Sequence, residues 1–270
     1  MKSIQQKTAL LVIAAIALWT TPANVRADSI GVNFGVPVDA LSPTDVAGVS
    51  GFSQSHYNNV FSTPTNLILN DDAGAATTVT LTLPGSVTFG DITAVAPSGP
   101  DETLNRGAAF GNFSDFSLTL SNIPYASYSI LVYSLAQQDV LRAITVDGTT
   151  FYSRSPPPSA NGYVDLLPAT PYLYTQATST DLGSPTRDSN YMLFTGLSGA
   201  NQTIFVAGEN QRNISGFQIV QTVPEPSTWA MLLGALSLLG FFKRPDRRCS
   251  WLADPTRHGR LLVLKPSRAT

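Results

Sequence analysis

The sequence predicts an all-β protein: an antiparallel β-sandwich of jelly-roll type over residues 28–222, between an N-terminal signal peptide and a C-terminal single transmembrane helix. Three observations carry this expectation. Between residues 28 and 222 the apolar residues recur with period two wherever they have a period, which is the signature of strands. Gly, Pro, Asn and Ser interrupt about a dozen such runs at short intervals, the rhythm of a sandwich rather than of a helical domain. Two further apolar runs stand near the chain ends, each beside basic residues, where topogenic segments belong.

At the N-terminus Lys2 and Lys7 precede an uninterrupted apolar run from Ala9 to Trp19, and Val25-Arg26-Ala27 follows. This is the tripartite layout of a secretory signal peptide over 1–27, shorter in its apolar part than the roughly 20 residues of a spanning helix. Cleavage by signal peptidase would leave Asp28 first. The next expected strands are 30–34, 66–69, 78–83 and 87–95. In 78–83 Val79, Leu81 and Leu83 share one face and the threonines the other. Strand 116–120 alternates likewise. Residues 129–135 are apolar on both faces, which marks a central strand. Strands 143–146 and 149–152 flank Asp147-Gly148, a hairpin signal because a type I′ turn wants positive φ at both central positions. Strands 172–177, 191–195, 203–207 and 214–221 complete the set. A turn near Ser42-Pro43-Thr44-Asp45-Val46 is the only helical feature expected, and Arg154 to Gly162, with three consecutive prolines, reads as an exposed loop.

Trp229 to Phe242 form a second apolar stretch, of 14 residues, followed at once by Lys243, Arg244, Arg247 and Arg248. The basic cluster fixes that side in the cytoplasm, and 14 residues cover only about 21 Å as a helix, so the span is short. Before it stands Val223-Pro224-Glu225-Pro226-Ser227-Thr228. The string VPEPSTWAMLLGALSLLGFFKRPDRR, residues 223–248, resembles a PEP-CTERM sorting signal: a Pro-Glu-Pro triplet, a short apolar helix and an arginine-rich end. The resemblance implies recognition by an exosortase, a membrane transpeptidase that removes the helix and passes the exported body to the cell surface or extracellular polymer matrix. Pro224 and Pro226 fix φ and withhold two backbone donors, so the triplet is extended, and Glu225 supplies the one charge for recognition. Residues 249–270 depart from that pattern by extending 22 residues past the arginines, as a basic tail expected to be disordered.

The body also resembles a jelly-roll ectodomain found in exported PEP-CTERM proteins of environmental bacteria, broadly similar to galactose-binding-like modules. The matching pieces are Ile30-Gly31-Val32-Asn33-Phe34, Gln54-Ser55-His56-Tyr57-Asn58-Asn59, Asn70-Asp71-Asp72-Ala73-Gly74, Asn190 to Phe194 with Gly196-Leu197, and Ile214 to Ile219. No established activity comes with this resemblance.

Charge narrows the partners. Residues 28–222 carry 15 acidic and 5 basic residues, no lysine among them, for a net charge of −10. Such a surface has nothing to neutralise phosphates, so nucleic acid is not an expected partner. The single cysteine, Cys249, lies past the basic cluster, so the body has no disulfide. His56 is the only histidine of the body and would have to serve any Ser-His-Asp hydrolase, yet no Gly-x-Ser-x-Gly elbow accompanies it. A secreted carbohydrate-active enzyme would need two carboxylates facing across a cleft, and the acidic residues mark no such pair. The expected reading is therefore a non-enzymatic structural or glycan-binding module, with extracellular polysaccharide as partner and the enzyme as the alternative. Tyr57, Asn58 and Asn59 are the candidate ligand contacts, since all three tryptophans lie outside the body and Tyr57, Tyr163, Tyr172 and Tyr174 fall in or beside expected loops. Tyr128, Tyr133 and Tyr191 are expected in the core. Asn70, Asp71 and Asp72 form the densest oxygen cluster, open to a structural calcium ion or to a simple Asx turn.

Overall fold

The computed structural model describes residues 28–92, 97–136, 139–155, 172–210 and 212–222. The chain divides into two compact units, Met1–Val223 and Pro224–Thr270. The second unit lies outside the described residues, as do the signal peptide, the sorting triplet, the expected transmembrane helix and the tail 249–270. So does the proline-rich stretch 156–162. Among the described residues no helix is long and apolar enough to cross a membrane.

Alternating apolar residues give the first unit its two large sheets. One has six strands in the spatial order β11 (Gln176–Ala177), β13 (Tyr191–Leu197), β8 (Tyr128–Tyr133), β16 (Gly216–Gln221), β1 (Ser29–Phe34) and β2 (Asn58–Val60). The other has seven, ordered β12 (Thr186–Arg187), β10 (Thr149–Arg154), β9 (Leu141–Val146), β14 (Gln202–Gly208), β7 (Phe116–Ser121), β4 (Ala76–Thr82) and β3 (Leu67–Asn70). A small third sheet joins β15 (Asn213–Ile214), β6 (Gly107–Phe110) and β5 (Thr88–Asp91). Neighbouring strands run antiparallel except in the pairs β1–β2, β10–β12 and β11–β13. Each of these parallel pairs places a strand of two or three residues at a sheet edge. Edges that short give a foreign strand little to pair with.

The core lies between the sheets. Ile30, Val32, Tyr128, Ile130, Val132, Phe217 and Ile219 come from the six-stranded sheet, and Val79, Leu81, Leu118, Leu120, Ile144, Val146, Ile204 and Val206 from the seven-stranded one. These positions alternate along their strands, as the period-two pattern requires. The six-stranded sheet is covered on its other face too. Leu131 and Tyr133 of β8 pack there with Leu41, Ala47, Tyr57 and Leu104. That second layer explains why β1 and β8 are buried at every position. Gly31 makes the close cover feasible: a Cβ there would lie 2.7 Å from the Tyr57 ring and 2.5 Å from the Gln54 amide.

The expected strands at 30–34, 66–69, 78–83, 116–120, 143–146, 149–152, 191–195 and 203–207 are present within a residue or two. At the β9–β10 hairpin Asp147 and Gly148 have φ of 47° and 74°, as the type I′ turn demands. Four differences stand out. The expected strand 172–177 contracts to Gln176–Ala177, and 87–95 to Thr88–Asp91 with 93–95 outside the described residues. The expected strand 214–221 is broken at Ser215 into β15 and β16, which belong to different sheets. The segment read as a polar loop around Asn58 holds the edge strand β2. A helix, α1 (Pro100–Arg106), stands where none was expected; the turn expected near Ser42–Val46 is present. Pro100 occupies the first helical turn, Asp101 and Glu102 offset the positive end of the dipole and Arg106 the negative end. Seven residues are too few to be stable alone, and buried Leu104 ties the helix to the outer layer.

Candidate functional site

The residues singled out from the sequence prove to be structural joints. Tyr57 is buried in the second layer rather than displayed on a loop, and its hydroxyl donates to the Ala47 carbonyl oxygen at 2.9 Å. Burial holds its ionisation well above the usual tyrosine range. Asn58 donates to the carbonyls of Gly31 and Asn70, each at 2.8 Å, and accepts the Asn70 amide at 2.8 Å. It therefore stitches edge strand β2 of one sheet to edge strand β3 of the other. The Asn59 amide accepts from Leu41 N–H at 2.9 Å and donates to Leu41 O at 2.8 Å, copying a strand pair. Asp71 accepts the amides of Ala73 and Ala75 at 3.0 and 2.8 Å, the Asx turn that closes the β3–β4 hairpin. Among the described residues no three His, Cys, Asp or Glu side chains gather as a metal-ligand set. Tyr172 and Tyr174 do lie outside strands, and the Tyr174 hydroxyl donates to Asp101 at 2.9 Å.

The acidic residues are tied in a similar way. His56 Nδ1 lies 3.1 Å from Ser55 Oγ and 3.0 Å from the Asp72 backbone carbonyl. Both contacts fall on one ring nitrogen, and the one to Asp72 is to its backbone oxygen. Asp101 also accepts Gly48 N–H at 2.7 Å, and Glu102 accepts Ser98 N–H and Oγ–H at 2.5 and 2.7 Å. Arg154 holds Asp139 and Glu209 at 3.5 and 3.1 Å.

One pair of carboxylates does share a setting that sequence reading missed. Asp39, fully buried in a 3₁₀ turn at Pro37–Asp39, lies 3.0 Å from Arg106 Nη1, and Asp91 lies 3.0 Å from Nη2 of the same guanidinium. Gly35 and Gly107 make room for it, since a Cβ on either would come within 3.1–3.2 Å of Asp39 Oδ2. Burial, then the neighbouring Asp91, push the Asp39 carboxyl up from 3.8 to about 7 against the pull of Arg106. Folding thus favours protonated Asp39. That stabilisation is complete below the unfolded value of 3.8 and is lost as pH rises through about 7. Asp39→Asn, which cannot titrate, is expected to flatten the fall in unfolding free energy over that window in urea denaturation at stepped pH. Parallel curves for the two proteins would contradict it.

Among the described residues, the outer face of the seven-stranded sheet presents a polar surface to solvent. Its outward side chains follow from the same alternation that fills the core: Thr80 and Thr82 on β4, Ser117 and Thr119 on β7, Thr203 and Phe205 on β14, Thr145 on β9. Cross-strand register aligns Thr82, Thr119 and Thr203 in one row and Ser117, Phe205, Thr145 and Thr150 in the next. Phe205 is 39% exposed in the middle of these hydroxyls. Beside it a depression of ≈ 440 Å³ is lined by Thr119, Thr145, Thr203 and Phe205, with Asp147, Gly148, Asn201 and Gln202 at its end. No charged side chain points outward from β4, β7 or the central residues of β14 and β9. The signal was present in the sequence as Thr78-Val79-Thr80-Leu81-Thr82, but the facing strands that turn one stripe into a field are distant in the chain.

Comparison with known proteins identifies the C-terminal segment. Residues 222–248 match the model of the PEP-CTERM protein-sorting motif. The chain is a β-sandwich protein carrying a C-terminal sorting motif. That motif implies export, a membrane-held stage and processing by an exosortase. No curated protein matches the chain. Among solved structures it is similar to protein YXIM_BACsu from Bacillus subtilis, with 12% identity and a TM-score of 0.38 over 73% of this chain and 41% of that one. It is also similar to a Bacteroides uniformis β-glucuronidase, with 11% identity and a TM-score of 0.39 over 72% of this chain and 18% of that one. The chain thus spans less than half the length of either.

Proposed function

We propose that this is a non-enzymatic, surface-sorted module that meets neutral glycan through the outer face of its seven-stranded sheet. Signal peptidase and an exosortase-type enzyme are its processing partners, and the apolar segment 229–242 holds it in the membrane until the second cut. The observation that carries the glycan reading is the field of threonine and serine hydroxyls around exposed Phe205, with Asp147 only at its end. Hydroxyls pair with sugar hydroxyls and an aromatic ring covers the apolar face of a pyranose, without any fixed charge to satisfy. A body of net −10 repels acidic polymers within a Debye length of about 8 Å at physiological salt. Neutral polysaccharide suffers no such penalty. The non-enzymatic reading is supported by the engagement of Asp39, Asp91, Asp101, Glu102, Asp139 and Glu209 in the contacts described above.

Co-sedimentation of the full-length chain with insoluble neutral glucans and mannans tests the proposal. Retention is expected, and Phe205→Ala is expected to weaken it by about tenfold, the worth of one stacked ring. Absence of retention on every neutral polymer, or equal retention by the Phe205→Ala protein, would remove the glycan role.

A further inference from the structure

Four of the five arginines of the body, Arg106, Arg154, Arg187 and Arg212, form ion pairs with Asp or Glu. Arg142 forms none among the described residues, although it is fully buried. Alternation along β9 puts it there, on the face that Ile144 and Val146 also present to the space between the sheets. Its side chain reaches from the seven-stranded sheet to the ends of two strands of the six-stranded one. Nη1 donates to Ser134 Oγ at 3.2 Å, just past β8, and Nη2 donates to the Ser189 carbonyl oxygen at 3.1 Å, just before β13. Both acceptors are neutral, and Ser134 Oγ donates its own hydrogen to Asn213 O at 2.8 Å. The guanidinium is held in place, and its charge is not balanced.

Two polar groups at this point have no hydrogen-bond partner. One is Arg142 Nε. The other is Oγ of Ser153, which is fully buried on β10 as the direct cross-strand neighbour of Arg142. Side chains opposite each other in an antiparallel pair start from Cβ atoms about 4.5–5.5 Å apart, so the N–H and the hydroxyl share one small space. On the other side of Arg142 its neighbour in β14 is Gly208, which places no side chain there. A water molecule could take both hydrogen bonds, yet it would leave a desolvated cation without a counter-charge, and that is the costly part. Burial lowers the guanidinium to about 9, so it stays charged at neutral pH. Tyr172, the titratable group that acts on it, is itself raised above the usual tyrosine range by burial and brings no negative charge. Arg142, Ser134, Ser153 and Ser189 are at most 1% exposed, which favours a bare monatomic anion over sulfate or phosphate.

We propose that the interior of the sandwich holds one chloride-sized monovalent anion, bound between Arg142 Nε–H and Ser153 Oγ–H. The ion enters with folding, offsets the buried charge and gives the two orphaned groups their partner. It is a stabilising site inside the body, separate from the outer face of the seven-stranded sheet. The inference does not depend on glycan recognition, and its test uses none.

The full-length chain in detergent is unfolded in urea, refolded in chloride-free sodium gluconate and melted while chloride replaces gluconate at constant ionic strength. Its melting midpoint is expected to climb with the logarithm of chloride concentration, as for any ligand that binds only the folded state, and bromide is expected to act in its place. Ser153→Ala removes one donor and keeps the charge, so it is expected to need about tenfold more chloride for the same rise. Arg142→Met removes the charge and is expected to melt at one temperature whichever anion is present. If Arg142→Met does not fold, the wild-type and Ser153→Ala curves decide between them. A wild-type midpoint indifferent to chloride, or a chloride dependence that Ser153→Ala leaves unchanged, would overturn the proposal.

Discussion

Replacing Pro224, Glu225 and Pro226 together by alanine is expected to leave the protein in the membrane with its basic tail attached and to reduce the processed form to background. The prolines cannot donate backbone hydrogen bonds and disfavour a helical residue before them, so their removal takes away the sequence's barrier to helix ahead of the apolar segment. Alanine, the best helix former, carries no such barrier. Glu225 is the only charge between Glu209 and Lys243 apart from Arg212, so its loss also removes the one ionic handle in the motif. Cell fractionation with mass spectrometry of both fractions reads the outcome directly. Release of the triple mutant at the wild-type rate would show that the triplet is not the processing determinant.

The second large effect concerns the body. Phe217→Ala should destabilise it by about 3–5 kcal/mol, a third or more of a typical domain's total. Phe217 is fully buried on β16, opposite Val32 on one side and Val132 on the other, with its ring 6.0 Å from that of Phe34. Strands on both sides hold the backbone, so the cavity cannot collapse. Chemical denaturation of the mutant and of Ser121→Ala, which lies on the outer face, separates the two layers. The outer-face change is expected to stay within about 0.5 kcal/mol.

How far the sequence speaks depends on whether the deciding contact is local. Alternation in 78–83 and 116–120 and the Asp147-Gly148 turn are local, and the structure follows them. The β2 strand is not: Asn58 and Asn59 look like loop residues until Gly31, Leu41 and Asn70 arrive from elsewhere to take their amides. Tyr57 moved from a loop platform to the interior for the same reason, because the layer that covers the six-stranded sheet is assembled from 41–57 and α1. Helix α1 was missed: Pro100 and a charge gradient are in place, but seven residues carry too weak a period to register. Arg142 gave no signal at all. It is wholly buried, hydrogen-bonded to Ser134 Oγ and the Ser189 carbonyl, and desolvation lowers its guanidinium to about 9. Only the spacing between two sheets decides such a placement. The outer face shows the opposite case, in which every threonine was visible and their assembly was not.

The pairing of β1 with β16 sets a clock on export. The most N-terminal strand of the described body is matched, from Ser29 to Asn33, with its most C-terminal strand, from Val220 back to Gly216. Because β16 also lies between β1 and β8, the six-stranded sheet exists only as two separate halves until residue 221 is outside. Closing so long a loop is slow, and the waiting chain exposes apolar strands in the meantime. The sorting motif begins at the very next residue, 222. A protease or transpeptidase that waits for this motif therefore acts on a chain whose final strand has just become available, so the order of synthesis itself favours folding before release.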